Sequence, residues 1–349
     1  MLNDYNRQYP VISSHTGFQP LKEVWVGDVY PEYFAQVFES RYQDLFCAIS
    51  EKTKKDLTLL ENKLQDLGVV VRRPIFDNID NFLDEQDNLI KPPICPRDWA
   101  LTLGNTLYII PQYQNNLTGF EATVQLYKSN KQDVIVLDRS IPDPMVYVVF
   151  PSVVRVGNDL LIDVPNENSL ALIQPVLDTL ATQYRVHISR TGNHSDGVFC
   201  PVKPGWIFST HYQTQYKKTF PDWDVFYLTD TTKTRTNGYN GKWWLPDMLY
   251  PHYNQGVFEI AKNWIGDSRE TVFEVNMLVV DETNVICITE DDRACKKLES
   301  LGITPHVVDI RTRGFWDGGI HCLTLDINRQ GNKVDYWPDR GNVGIYYTQ

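Results

Sequence analysis

The run EVNMLVVDETNVICITEDDRACKKLESLGITPHVVDIR, residues 274–311, sets the architecture. Its first part, 274–290, reads as a hairpin of two strands around Asp281–Asn284, because turn formers separate two apolar, β-branched runs. DDRACKKLESLG (291–302) carries helical spacing and stops on Gly302, and ITPHVVDIR (303–311) returns to strand. The same order of two strands, a helix and a strand recurs loosely at 148–189, and at 106–138 without its helix. Repeated order of this kind is α/β.

Working outward, KEVWVGD (22–28) alternates as a strand, the long segment 33–68 has helical spacing ending on Gly68, and VVVRRP follows as a strand. Strands are expected at TLYIIP (106–111), DVIVLD (133–138), DLLIDV (159–164), YRVHIS (184–189) and GWIFST (205–210), with a helix at 169–183. Beyond Thr229 the pattern breaks into a stretch rich in turn formers and aromatics, read as an irregular insertion near 230–270. Nothing resembles an interdomain linker, so residues 1–349 are read as one catalytic domain.

Composition narrows the class. With 42% hydrophobic and 22% charged residues the chain is a folded globular protein with a large core. A net charge of -11 and the lack of a basic cluster interleaved with aromatics argue against nucleic acid. The N-terminus lacks a secretory pattern, and no apolar run is long enough for a membrane span. Six scattered cysteines fit neither a disulfide scaffold nor zinc pairs, which suggests a reducing cytoplasm.

Three segments carry chemistry. In GFWDGGIHCLTLDINRQG (314–331) the Gly318–Gly319 turn leads to Cys322 at the mouth of a strand, where a tight turn would expose a thiol for nucleophilic work. A half-buried strand cysteine is the plainer alternative. In RTGNHSDGVFCPVKPGW (190–206), His194 and Asp196 are two apart and share a face if extended. Taken alone, such a pair is an ordinary polar surface feature. In CPRDWALTLGNTLYII (95–110), Asp98 precedes an apolar run and could as easily cap a turn.

As a set, PRDxxLxxGNxLYIIP, then HxDGxF followed by PGWIxST, then GGxHCxTxDxxRxG resembles the glycine amidinotransferase branch of the guanidino-group-modifying superfamily, which includes arginine and agmatine deiminases. The resemblance runs from Gly17 to Gly331. It implies a five-bladed α/β propeller with pseudo-fivefold symmetry and no cofactor. It also implies that Cys322 attacks the guanidinium carbon of arginine, that His194 is the acid and base, and that Asp98 and Asp196 grip the guanidinium. An acceptor amine such as glycine would then receive the amidino group. A hydrolase of the same superfamily and a non-catalytic guanidinium binder are the other readings.

Two departures from that pattern stand out. Ser152 occupies the place of the acid that orients the catalytic histidine, a role that could pass to Asp159. The arginine expected to clamp the substrate carboxylate is missing after GWIFST, leaving Lys217, Lys218 or Arg311 as substitutes. Small molecules are the expected partners, and no metal site is called for. The sequence leaves the oligomeric state open, a homodimer being one arrangement.

Overall fold

The computed structural model describes residues 10–111, 117–190, 194–210, 216–228, 264, 274–288, 292–341 and 343–347. Apart from Trp264, the insertion expected near 230–270 lies outside the described residues.

The strands form five sheets with one internal order. β1 (Leu21–Val26) runs parallel to β2 (Val70–Arg72) and antiparallel to β15 (Thr324–Arg329). The second sheet contains β3 (Ala100–Leu103), antiparallel to β4 (Thr106–Ile109), and β5 (Asp133–Val136), parallel to β4. The third repeats this with β6 (Val153–Val156), β7 (Asp159–Asp163) and β8 (Arg185–Ser189). The fourth contains β9 (Phe199–Lys203), β10 (Trp206–Ser209) and β11 (Asp224–Tyr227). The fifth contains β12 (Leu278–Val279), β13 (Asn284–Cys287) and β14 (Thr304–Val307). A last strand, β16 (Gly344–Tyr347), lies parallel to β8 on the third sheet. None of the sheets closes on itself, and together they make the five-bladed α/β propeller expected from the resemblance.

Each parallel step needs a crossover, and a helix supplies it. These are α1 (Ser40–Asp66), α2 (Glu121–Ser129), α3 (Glu167–Leu180), a one-turn helix at Tyr216–Thr219, and α4 (Asp292–Ser300). The sequence reading found no helix between β4 and β5, where α2 lies. Only Val124 and Tyr127 of its nine residues are buried, so its apolar stripe is too thin to register. The single helix expected over 33–68 is divided: a 3-10 turn covers Glu32–Val37, Phe38 and Glu39 are extended, and α1 starts at Ser40.

Strand alternation joins the blades, since successive side chains point to opposite faces. Val24 and Val26 enter one apolar cluster with α1, Leu278 and Ile286, while Trp25 between them enters another with Leu107, Phe120 and Leu325. Leu160 and Ile162 pack with Leu101, whereas Leu161 faces Phe199 and Val285. Val285 and Cys287 point that same way, and Ile286 and Ile288 turn back toward α1. The first, second, third and fifth blades thus give alternate residues to separate clusters, and the fourth packs in one cluster with the third and the fifth.

One ionic cluster also crosses the blades. Asp326 on β15 is fully buried and accepts from Arg97 Nη2 at 2.8 Å, Arg155 Nη2 at 2.6 Å and Arg329 Nε at 2.7 Å. Arg155, on β6, also donates to the carbonyl of Thr102 on β3. Arg329 donates to the carbonyls of Gln19 and of Val279 on β12. Burial alone would raise the Asp326 carboxyl, but the guanidiniums of Arg155, Arg329 and Arg97 outweigh it and hold it well below the usual range.

Removing the carboxylate leaves buried cations without their partner, so Asp326→Ala is expected to lose about 3–5 kcal/mol of unfolding free energy. Urea titration followed by circular dichroism measures it. A loss below about 1 kcal/mol would mean that the cluster adds little beyond its solvation cost.

Candidate active site

The site residues occupy one recurring place in the fold, just ahead of the first strand of each sheet. Asp98 ends the 3-10 turn Pro96–Asp98 before β3, and Ser152 ends the turn Phe150–Ser152 before β6. His194 and Asp196 sit at the turn Ser195–Gly197 before β9, Asn276 precedes β12, and Cys322 precedes β15.

Cys322 is enclosed, at 3% exposure, and not presented at the surface as its position beside a tight turn suggested. The two glycines before it explain how its neighbours close in. A Cβ on Gly319 would lie 2.5 Å from Asn276 Oδ1, and one on Gly318 would lie 3.1 Å from Cys95 Sγ. Neither glycine has a positive φ; that conformation falls on Asp317, with φ 50°.

Around the sulfur, Asn276 Nδ2 donates to Sγ at 2.9 Å, and the Cys322 amide donates to Asn276 Oδ1 at 3.1 Å. The thiol donates to Asp196 Oδ2 at 3.3 Å. Burial pushes the thiol well up, and the negative charge of Asp196, the Cys95 thiol and the charge of Asp98 push the same way; the Asn276 amide opposes them. These surroundings favour the protonated thiol over the thiolate.

Asp196 is buried and accepts at Oδ2 from His321 Nδ1 at 2.9 Å. Its Oδ1 is buried with no hydrogen-bond donor among the described residues. Burial would raise this carboxyl, but the hydrogen bond from His321 and the charges of His321, His194 and Arg97 bring it below the ordinary value. The His321 imidazole is itself pushed down to about 4, first by burial and then by Arg97. At neutral pH its contribution to Asp196 is thus the N–H bond of a neutral ring. Asp98 is solvent-accessible, yet enough protein surrounds it that desolvation pushes its carboxyl up, aided by Asp196 and opposed by Lys91 and His194. His194 is half-buried and close enough to act electrostatically on both aspartates.

Cys322, Asp196, Asp98 and His194 therefore come together. Ser152 is buried beside them, and its carbonyl accepts from Ser195 Oγ at 3.2 Å. Asp159 is engaged elsewhere, bonded to Arg185 and to His187 Nε2. Arg311 donates to Asp56 on α1 at 2.7 Å and lines a separate surface cavity with Glu51, Lys55 and Asp309. Lys217 and Lys218 are exposed on the one-turn helix, where Arg340 donates to the carbonyls of Lys218 and Thr219.

Asn276 and His321 were missed as site residues. His321 stood inside the quoted GGxHC motif, hidden by its more reactive neighbour. Asn276 could have been found by noting that Asp98, Ser152, Asp196 and Cys322 each lie one to three residues ahead of a strand at the same place in its sheet. Arg97, next to Asp98, was passed over as well. It supports the loop by donating from Nε to the His321 carbonyl at 3.1 Å while holding Asp326.

A buried thiol, a carboxylate with one oxygen that meets no donor among the described residues, a second carboxylate and a histidine together suit nucleophilic attack on a planar cation. No family model matches the chain. It is 22% identical over 377 residues to an inosamine-phosphate amidinotransferase of Streptomyces glaucescens, covering 93% of this chain and 99% of that one. A mitochondrial glycine amidinotransferase of Gallus gallus is 25% identical over 193 residues, which is 52% of this chain and 39% of its own. Among solved structures, the inosamine-phosphate amidinotransferase of Streptomyces griseus superposes with a TM-score of 0.66 at 20% identity, covering 94% of this chain and 99% of that chain. The chain shares the fold of these amidinotransferases, and the relatives it matches are named as transferases of that type. The chain is related to the amidinotransferase branch of the guanidino-group-modifying superfamily.

Acid stability gives a check on the neutral His321. In the unfolded chain its imidazole titrates near 6.5, and in the fold near 4. The unfolded state therefore takes up a proton first as pH falls below 6.5, so stability present above that value is lost progressively down to about 4. The loss from this group is on the order of 3 kcal/mol. Urea midpoints between pH 7 and pH 4 should fall less steeply for His321→Gln than for the parent, and parallel curves would refute the assignment.

Proposed function

We propose that this protein is an amidinotransferase that takes the amidino group of arginine onto Cys322, releases ornithine, and passes the group to an acceptor amine such as glycine. The observation that carries this reading is Asp196. One carboxylate oxygen is fixed by His321 and the Cys322 thiol, and the other is buried with no donor among the described residues. A guanidinium fills that place with directed N–H donors, and its plane brings the central carbon to the sulfur.

The chemistry follows from the charges. Two carboxylates beside a thiol oppose its ionisation, and a bound guanidinium offsets them, so the thiolate forms when the donor is seated. The thiol proton passes to His194, and the sulfur attacks the guanidinium carbon. The bond from that carbon to the ornithine nitrogen breaks as His194 returns the proton to the leaving amine. The acceptor amine then attacks the amidino-cysteine and gives its proton to His194. The carbon–sulfur bond breaks and regenerates Cys322.

The acceptor is the less constrained partner. Glycine is the acceptor implied by the motif resemblance, while the relatives matched along their whole length are named for inosamine phosphate. Both belong in the acceptor panel.

Mass spectrometry of the protein with isotopically labelled arginine, with and without these amines, tests the reading. An amidino adduct on Cys322, free ornithine and a labelled guanidino product are expected, with no adduct in Cys322→Ala. Asp196→Asn is expected to lower kcat/KM by about 10- to 100-fold, the equivalent of a lost charge-assisted hydrogen bond. Citrulline as the product would make the protein a hydrolase, and neither adduct nor turnover would leave a guanidinium binder.

A further inference from the structure

Asn276 is fully buried, and each polar atom of its side chain is bonded to the nucleophile or its neighbour. Nδ2 donates to Cys322 Sγ at 2.9 Å and to the Asp196 carbonyl at 3.1 Å, and Oδ1 accepts from the Cys322 amide at 3.1 Å. The Asn276 carbonyl accepts from the His321 amide at 3.3 Å. This side chain therefore fixes both the backbone and the sulfur of Cys322, and the missing Cβ of Gly319 admits it.

The groups facing the sulfur assign the amide a distinct task. From the turn before β9 come Asp196, which accepts a hydrogen bond from the thiol, and His194, whose charge acts on both aspartates. From the segment before β3 come Asp98 and Cys95, both of which disfavour a thiolate. From its own loop comes His321, whose Nδ1 is committed to Asp196. Arg97, behind that loop, spends its guanidinium on the His321 carbonyl and Asp326. Among the described residues, Asn276 supplies the side-chain hydrogen bond donated to Sγ.

We propose that Asn276 is the positioning residue that holds the Cys322 sulfur as an anion once its proton has left, and aims it at the electrophile. This rests on the amidinotransferase reading and adds a further group to the same site. An N–H directed at sulfur stabilises the thiolate more than the thiol, and it remains in place when a guanidinium claims Asp196.

The test is the rate at which iodoacetamide alkylates Cys322 between pH 7 and pH 10, read by peptide mass spectrometry. In this reaction the thiolate displaces iodide from the reagent carbon. Asn276→Leu removes the donor at similar volume, and Asn276→Ser keeps a polar group too short to span the same contacts. Circular dichroism selects the folded variants, and both positions are read against the parent. The pH needed for a given alkylation rate is expected to rise by about one to two units, from the loss of a hydrogen bond to a charged group. An unmoved pH profile in a folded variant would overturn the proposal and leave Asn276 as packing. Because no guanidine is used, this result is independent of the adduct experiment: a missing amidino adduct in the parent would count against the transferase reading, and an unmoved profile against Asn276.

Discussion

Asp326 binds three arginines where no water reaches it, and the placement of the loop that carries Cys322 depends on that contact. Its carboxylate lies on β15, Arg155 arrives from β6, and Arg97 arrives from the turn that ends in Asp98. Arg329 carries the cluster on to the carbonyl of Val279 on the fifth sheet. Burying ions is costly, and an apolar core of equal volume can match or exceed their net stabilisation. What the cluster adds is register. A one-residue slip of β15 would point Asp326 to the other face and strand the guanidiniums of Arg97 and Arg155. Arg97 then passes that register to the site by holding the His321 carbonyl, one residue before Cys322.

The repeat explains how distant segments make one site. Apolar alternation fixes each hairpin between its two neighbours, so the segment entering each first strand arrives at an equivalent place. Asp98, Ser152, Asp196, Asn276 and Cys322 all stand there. Each can differ in chemistry because the strands behind them carry the packing. An acid, an amide and a thiol at such positions need no local rearrangement of the fold. They do need space, which the glycines at 318 and 319 supply to Asn276 and Cys95.

Much of this was legible in the sequence, and the failures have physical causes. The fifth blade could be read directly because its hairpin, helix and strand are each bounded by turn formers or Gly302. Cys322, His194, Asp98 and Asp196 were legible as reactive types in motifs, and the structure brings them together. α2 was not, since two buried residues make no visible stripe. The burial of Cys322 was not legible either. It depends on Asn276, Asp196 and Cys95 arriving from other blades, and the glycine pair signals their close approach only once those partners are known. Arg311 looked available for a substrate carboxylate because its partner, Asp56, is 255 residues away in sequence.

The balance of charge around Cys322 bears on when its thiolate forms in the proposed reaction. Asp98 and Asp196 both disfavour a thiolate, and burial removes the water that would otherwise solvate one. A cationic planar ligand reverses both effects, because it pairs with the carboxylates and puts its positive charge beside the sulfur. Binding energy is then spent on making the attacking group and on orienting its target in the same event. A neutral electrophile of similar size gains neither, and meets a protonated thiol. In the proposed reaction the acidic surroundings that look ill suited to a cysteine nucleophile become a means of discrimination, and the neutral amide of Asn276 holds the sulfur without competing for the cation.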